Sequence, residues 1–272
     1  MKISRPLLLI GCGKMGSAML SGWLESGIAD GGVFVVEPMG APVEFDGVSG
    51  VSVVADAEDL PLDLNPEVIV FAVKPQQMDD VAPDYLKFVG DETAFLSIAA
   101  GKDIAYFQNK LGKGASIVRA MPNTPAAIGQ GITVCCSNGV ASDSQRELCR
   151  SLLAATGEAL VVDDEDLIDA VTAVSGGGPA YVFLLIECLE AAGVAAGLPK
   201  ELSAKLALIT VAGSGQLALT SEEPPSVLRE NVTSPGGTTL EALNILMSDD
   251  GLAQLMTRAI AAATKRSREL AG

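Results

Sequence analysis

The 272-residue chain is 49% hydrophobic but only 4% aromatic, which suits closely packed α/β and helical layers in one large domain or two. Eighteen Lys and Arg against 34 Asp and Glu leave a net charge of −16, which repels nucleic-acid phosphates and anionic lipid and argues against both as partners. Histidine is absent; this excludes Ser-His-Asp hydrolysis, most zinc sites and a histidine proton donor, no metal site is expected, and proton transfer falls to a hydroxyl, carboxylate, lysine, thiol or water.

In chain order, residues 1–6 show no signal-peptide cleavage pattern and run into an apolar strand, Leu7–Ile10. The strand opens onto Gly11-Cys12-Gly13-Lys14-Met15-Gly16 and a helix over Met15–Ser26 that ends near Gly27. This is G-x-G-x-x-G in the strand–turn–helix context that dinucleotide binding requires. Gly11 makes the tight turn, Gly13 lets a pyrophosphate approach the backbone, and Gly16 packs helix against sheet. The helix N-terminus then receives phosphate charge, so Gly11, Cys12, Gly13, Lys14, Met15 and Gly16 are all expected to contact the cofactor.

A second strand, Val33–Val36, ends on Glu37, 21 residues past Gly16. A carboxylate here accepts hydrogen bonds from ribose hydroxyls and repels a 2′-phosphate, unless it points into solvent. No arginine follows within ten residues, so the cofactor reading leans to NADH over NADPH. Val51–Val54 reads as a third strand. Val68–Val73, bounded by Pro66 and Pro75, has the continuous apolar character of a strand buried on both faces. Its end, Ala72-Val73-Lys74-Pro75, falls where open α/β sheets bind ligands; Lys74 reads equally as a dinucleotide contact or a solvated lysine.

Apolar runs at Ala94–Ile98, Ser116–Val118, Ile132–Cys136 and Leu160–Val162 continue the alternation of strand and helix, which predicts a parallel sheet with helices on both faces. Five cysteines without a C-x-x-C pair read as reduced, mostly buried thiols. Past Asp163 strand signals give way to helical patterns, which places a boundary between a dinucleotide-binding domain, 1–163, and a helical domain, 164–272. Pro179–Ala196 is apolar nearly all the way round and needs cover on every side, so a partner subunit is expected. Uninterrupted apolar runs such as Val68–Val73 and Tyr181–Ile186 are too short to cross a bilayer, and the chain reads as cytoplasmic.

The segment Asn231–Leu243 carries the second informative motif. Pro235, Gly236 and Gly237 make a turn before a helix, and Thr238 with Glu241 fits a T-x-x-E capping box. Exposed N–H groups around Gly236–Thr239 at a positive helix terminus form a site for a small anion, although a capped helix after a tight turn accounts for the same residues. Ser234, across the turn, and Thr239, whose hydroxyl capping does not require, favour the anion.

Asn231–Met247, with its S-P-G-G-x-T core, resembles the signature of pyrroline-5-carboxylate reductases. Ser175–Tyr181 resembles the family's S-G-x-G-P-A-Y entry into a long central helix, and Ala72–Pro75 its A-V-K-P segment. Arg119-Ala120-Met121-Pro122-Asn123-Thr124-Pro125 resembles the loop that approaches the nicotinamide. With the N-terminal fingerprint, the five motifs are collinear from about residue 7 to residue 250.

The resemblance implies an α/β fold class, an N-terminal Rossmann dinucleotide-binding domain followed by an all-α C-terminal dimerisation domain. It implies a homodimer of interleaved helices, larger rings of such dimers, and a substrate site at the dimer interface. Met121, Pro122 and Asn123 would join Glu37, Ala72, Val73, Lys74 and Pro75 in binding NADH or NADPH. The implied reaction is reduction of 1-pyrroline-5-carboxylate to L-proline, the last step of proline synthesis. In a chain without histidine, the Thr239 hydroxyl is the candidate catalytic partner of the imine nitrogen, with Ser234, Gly236, Gly237 and Thr238 around the carboxylate.

Two departures stand out: Gly16 is often alanine in the family, and Glu37 stands where many relatives carry a small or hydroxylated residue that accepts the NADPH phosphate. Rival readings are a β-hydroxyacid or 6-phosphogluconate type dehydrogenase, a reductase of another cyclic imine, and a non-enzymatic nicotinamide sensor or scaffold. The first needs a catalytic lysine in the helical domain, and Lys200, Lys205 and Lys265 sit in no such motif.

Overall fold

Short runs of β-branched and aromatic residues become strands where both faces can be buried. The computed structural model, which describes residues 3–40 and 42–271, places them at β1 Leu7–Ile10, β2 Val33–Val36, β3 Val51–Val54, β4 Val68–Phe71, β5 Ala94–Ser97, β6 Ser116–Met121, β7 Gly131–Ser137 and β8 Gly157–Val161. Every residue of β1, β4 and β5 is buried. The strands form one sheet in the order β3-β2-β1-β4-β5-β6-β7-β8.

Neighbours pair in parallel except β6 and β7, which run antiparallel with Arg119 opposite Cys136. The all-parallel expectation is corrected at this step. The connection 122–130 holds only a 3-10 turn, Thr124–Ile128, too short for the crossover that parallel neighbours need. β4 also stops at Phe71, two residues before the apolar run ends. Pro75 biases Lys74 to extended backbone, and Ala72–Lys74 becomes the loop at the sheet edge.

The helices are α1 Lys14–Ser26, α2 Met78–Val81, α3 Ile104–Leu111, α4 Asp143–Ala154, α5 Leu167–Val171, α6 Gly178–Ala195, α7 Lys200–Thr220, α8 Pro225–Asn231, α9 Thr238–Leu246 and α10 Leu252–Ala271. Local chemistry sets several ends. Gly27 closes α1 in left-handed backbone, the Asp103 carboxylate accepts the Tyr106 N–H to start α3, and Ser142 with Gln145 forms a capping box on α4.

The α/β fold class stands. Alternate strand residues feed two buried layers: Leu7, Leu9, Trp23, Leu96 and Leu152 on one face, and Leu8, Ile10, Phe71, Phe95 and Phe107 on the other. Trp23, fully buried, donates its indole N–H to the Leu152 carbonyl at 2.9 Å.

The chain divides into two compact units, Met1–Gly176 with Ala263–Gly272, and Gly177–Ala262. The segment 164–176, helical in pattern, belongs to the first unit, where Ile168 and Ala173 are buried. It ends in a π-turn, Thr172–Gly176. The last turns of α10 also belong there: Ser267 Oγ donates to Asp169 Oδ1 at 2.6 Å, and Leu270 lies beside Gly101.

In the second unit the Ser203 hydroxyl on α7 donates to the Glu190 carbonyl on α6 at 2.7 Å. α6, α8 and α9 contain no buried residue, and Phe183 and Ile209 are 58% and 61% exposed. Two helical stretches, Leu167–Ala195 and Lys200–Thr220, are long and apolar enough to cross a membrane by length and composition. That corrects the run-length argument. Residues such as Glu187 and Glu190 interrupt the apolar run, yet the helix as a whole stays apolar.

Candidate functional site

The chain lays down β1, β2 and β3 in one direction, then returns to place β4 on the free side of β1. Loops leaving the carboxyl ends of β1 and β4 diverge at such a switch and open a crevice. A crevice of about 320 Å³ lies there. It is lined by Gly11 and Gly13 after β1, Glu37 after β2, Asp56 after β3, and Ala72, Val73 and Lys74 after β4, with Gln77 and Tyr85 from the segment that follows.

Gly11 has φ +90°, and a Cβ on it would stand 2.9 Å from Val73 Cγ1, so the loops after β1 and β4 touch at this glycine. A Cβ on Gly16 would collide with the Gly11 carbonyl oxygen, so α1 sits directly on the turn. Among the described residues, nothing lies within 4 Å of where a Gly13 Cβ would be and no side chain caps α1. An uncapped helix N-terminus beside open space is what a pyrophosphate needs.

Glu37 does not hang in solvent. Its Oε2 accepts the Cys12 N–H at 2.8 Å and its Oε1 accepts the Met39 N–H at 3.3 Å, which pins the carboxylate at the crevice wall. Cys12 contributes backbone here. Its thiol is buried, and burial pushes its pKa up against the opposing hydrogen bond from Ser17. Lys14 is exposed and Met15 half-buried on α1, and Pro75 opens a 3-10 turn; none of the three lines the crevice.

Met121, Pro122 and Asn123 leave the end of β6, two strands from β4 along the same sheet edge, and also lie outside the crevice lining. Asn123 is buried, and its Oδ1 accepts the Ile132 N–H at 3.0 Å, tying the loop to β7. A Cβ on Gly176 would come within 2.5 Å of Met121 Cε, so the π-turn packs on this loop. Beneath it, Arg119 pairs with Glu165 at 2.8 Å, and the same Glu165 oxygen accepts the Ile104 N–H at 2.8 Å.

In the second unit the Ser234 carbonyl accepts the Gly237 N–H at 3.0 Å, closing a turn in which Gly236 has φ +68°. The Thr238–Glu241 capping box does not form. α9 begins at Thr238 itself with Gly237 as its N-cap, and the Gly237 carbonyl accepts from Leu240 at 3.1 Å and Glu241 at 3.4 Å. The turn hydrogen bond sets that start, which puts Thr238 and Thr239 in the first helical turn with exposed side chains. Ser234, Gly236, Gly237, Thr238 and Thr239 therefore come together on one turn at a helix N-terminus. The Asn231 amide donates to Glu223 at 3.0 Å just before it.

Sequence reasoning missed Asp56, Gln77 and Tyr85 in the crevice. Asp56 was within reach of the rule that flagged Lys74, since it follows the carboxyl end of β3. Tyr85 had no signal, because it arrives from a 3-10 segment whose course is a tertiary fact.

A family model for pyrroline-5-carboxylate reductase dimerisation matches residues 165–270, and one described as NADP oxidoreductase coenzyme F420-dependent matches residues 7–101. The chain is similar to a pyrroline-5-carboxylate reductase of Pseudomonas aeruginosa, 39% identical over 97% of this chain and 96% of the relative. It is also similar to one of Pisum sativum, 36% identical over 98% and 96%. A solved structure from Coxiella burnetii bearing the same name superposes with a TM-score of 0.89 at 34% identity, covering 99% of this chain and 100% of that one. A Plasmodium falciparum pyrroline carboxylate reductase with NADP bound gives 0.83 at 29% identity, covering 100% of both chains.

Proposed function

The chain belongs to the pyrroline-5-carboxylate reductase family, and from that premise we propose how its residues divide the work. It reduces 1-pyrroline-5-carboxylate to L-proline with a nicotinamide dinucleotide, the last step of proline biosynthesis. The observation that carries this reading is the near-full-length match together with an intact Ser234–Thr239 turn. A sensor on the same scaffold has no need of that turn.

A dinucleotide held in the crevice would supply the hydride that reduces the imine carbon. The α1 N-terminus with Gly11–Gly16 would hold its pyrophosphate, and Glu37 would take ribose hydroxyls. Ala72–Pro75 would help hold the dinucleotide, and Met121–Asn123 would do so at its nicotinamide end. Asn123 acts by holding that loop on β7, given where its side-chain oxygen is spent.

On the substrate side, the Ser234 hydroxyl and the N–H groups of Gly237 and Thr238 grip the carboxylate, with Gly236 shaping the turn. The helix N-terminus adds positive potential. The Thr239 hydroxyl hydrogen-bonds the ring nitrogen and stabilises the protonated imine, which is the form that accepts hydride. Fixing a reacting carbon in place can remove roughly 7–11 kcal/mol of a barrier, and holding the imine carbon draws on that effect.

Residues 1–163 serve the cofactor and 164–272 serve dimerisation and substrate. The uncovered apolar surfaces of α6 and α7 are met by a second copy of the chain, not by lipid, and the dimers assemble further into a ring in the cytoplasm. Purified protein should oxidise reduced dinucleotide rapidly when given pyrroline-5-carboxylate. Folded, cofactor-bound protein without turnover would overturn the reductase reading in favour of another imine or a sensor role.

A further inference from the structure

The dinucleotide crevice carries more negative charge than the fingerprint foretells. Glu37 cannot swing away without giving up the N–H groups of both Cys12 and Met39. Asp56 lines the same crevice and is held in turn, its Oδ1 accepting the Glu58 N–H at 3.2 Å. Asp84 is a third carboxylate in the lining, and Lys74 is the one cation among the described lining residues.

A ribose 2′-hydroxyl donates a hydrogen bond to a carboxylate, which NADH can offer. The 2′-phosphate of NADPH lacks that donor and brings about −1.5 to −2 charges. We propose that Glu37 and Asp56 act together as the discriminating residues, making this chain an NADH-selective reductase. The selectivity belongs to these side chains and not to the family: a 29% identical relative has NADP bound. The inference rests on the crevice being the cofactor site of the reductase.

The test measures Kd for NADH and for NADPH, beside kcat/KM with each, in the wild type, Glu37→Gln, Asp56→Asn and the double variant. The wild type should favour NADH by about tenfold or more. Each substitution should lower that ratio, and the double variant should lower it further than either alone. Raising the salt concentration should narrow the wild-type ratio, because the repulsion is screened, and should leave the double variant's ratio nearly unchanged.

Equal or tighter NADPH binding by the wild type overturns the proposal. So does an Asp56→Asn variant whose ratio stays at the wild-type value, which would leave Glu37 alone. The Kd values stand apart from turnover: selective NADH binding without reduction of the imine sinks the reductase reading and keeps the selectivity. Failure to bind either dinucleotide sinks both. Retained Trp23 fluorescence in each variant separates a charge effect from misfolding.

Discussion

At the scale of single residues, the Ser234–Thr239 turn makes the sharpest claims. Thr239→Ala removes the hydroxyl proposed to meet the imine nitrogen, so kcat should fall about 100-fold or more with dinucleotide affinity unchanged, and Thr239→Ser should restore most of it. Unchanged steady-state kcat in Thr239→Ala would take the threonine out of the chemistry. Ser234→Ala removes the proposed carboxylate contact and should mainly raise the substrate KM, about tenfold, in the same assay. That Ser234 and Thr239 meet on one turn at a helix N-terminus was legible in the sequence because their motif is local. Glu37 was half-legible: its place after β2 follows from spacing, but its bond to the Cys12 N–H depends on how the β1 and β2 loops approach each other.

At the scale of elements, spacing placed the eight strands of the described residues but not the sense of one of them. β7 reads like its neighbours in composition. Its reversal comes from the length of 122–130, a property of the connection and not of the strand. The T-x-x-E pattern at 238–241 misled for a related reason: a side-chain cap is displaced when a preceding backbone turn already fixes the helix start.

The Arg119–Glu165 pair could not be read from sequence at all, since 46 residues separate its partners. Arg119 is 5% exposed at its side chain, so Glu165→Ala would strand a buried guanidinium and the Ile104 N–H together. A loss of about 3 kcal/mol is expected in urea unfolding followed by Trp23 fluorescence. A loss under about 1 kcal/mol would class the pair with ordinary surface ion pairs.

At the scale of the whole molecule, the fold class and the need for a partner were visible in composition, because an apolar helix without a polar face has no other stable surroundings in water. The bare α6 was visible in its all-round apolar pattern as well; that α8 and α9 also stay without a buried residue was not, since that depends on what the chain can bury by itself. Cysteine reactivity offers a measure of the cover. Burial pushes the Cys135 thiol up to about 11 and Cys136 up to about 12, so neither forms much thiolate at pH 8. Cys188 on α6 is exposed in the single chain. In the assembled protein its alkylation should be slow, and should speed up as dilution below the dimer Kd frees the helix. Fast modification at every concentration would place Cys188 outside the interface.

The return of Ala263–Gly272 to the first unit has a mechanical consequence. A force applied between residue 3 and residue 270 passes through the strands of the sheet and the anchor that Ser267 makes on Asp169, beside the seat of Leu270 at Gly101. Residues 177–262 form a closed detour on that path and carry no tension until the anchor gives way. In single-molecule pulling, the first rupture should therefore release the C-terminal turns, and only afterwards should the helices of the second unit begin to extend.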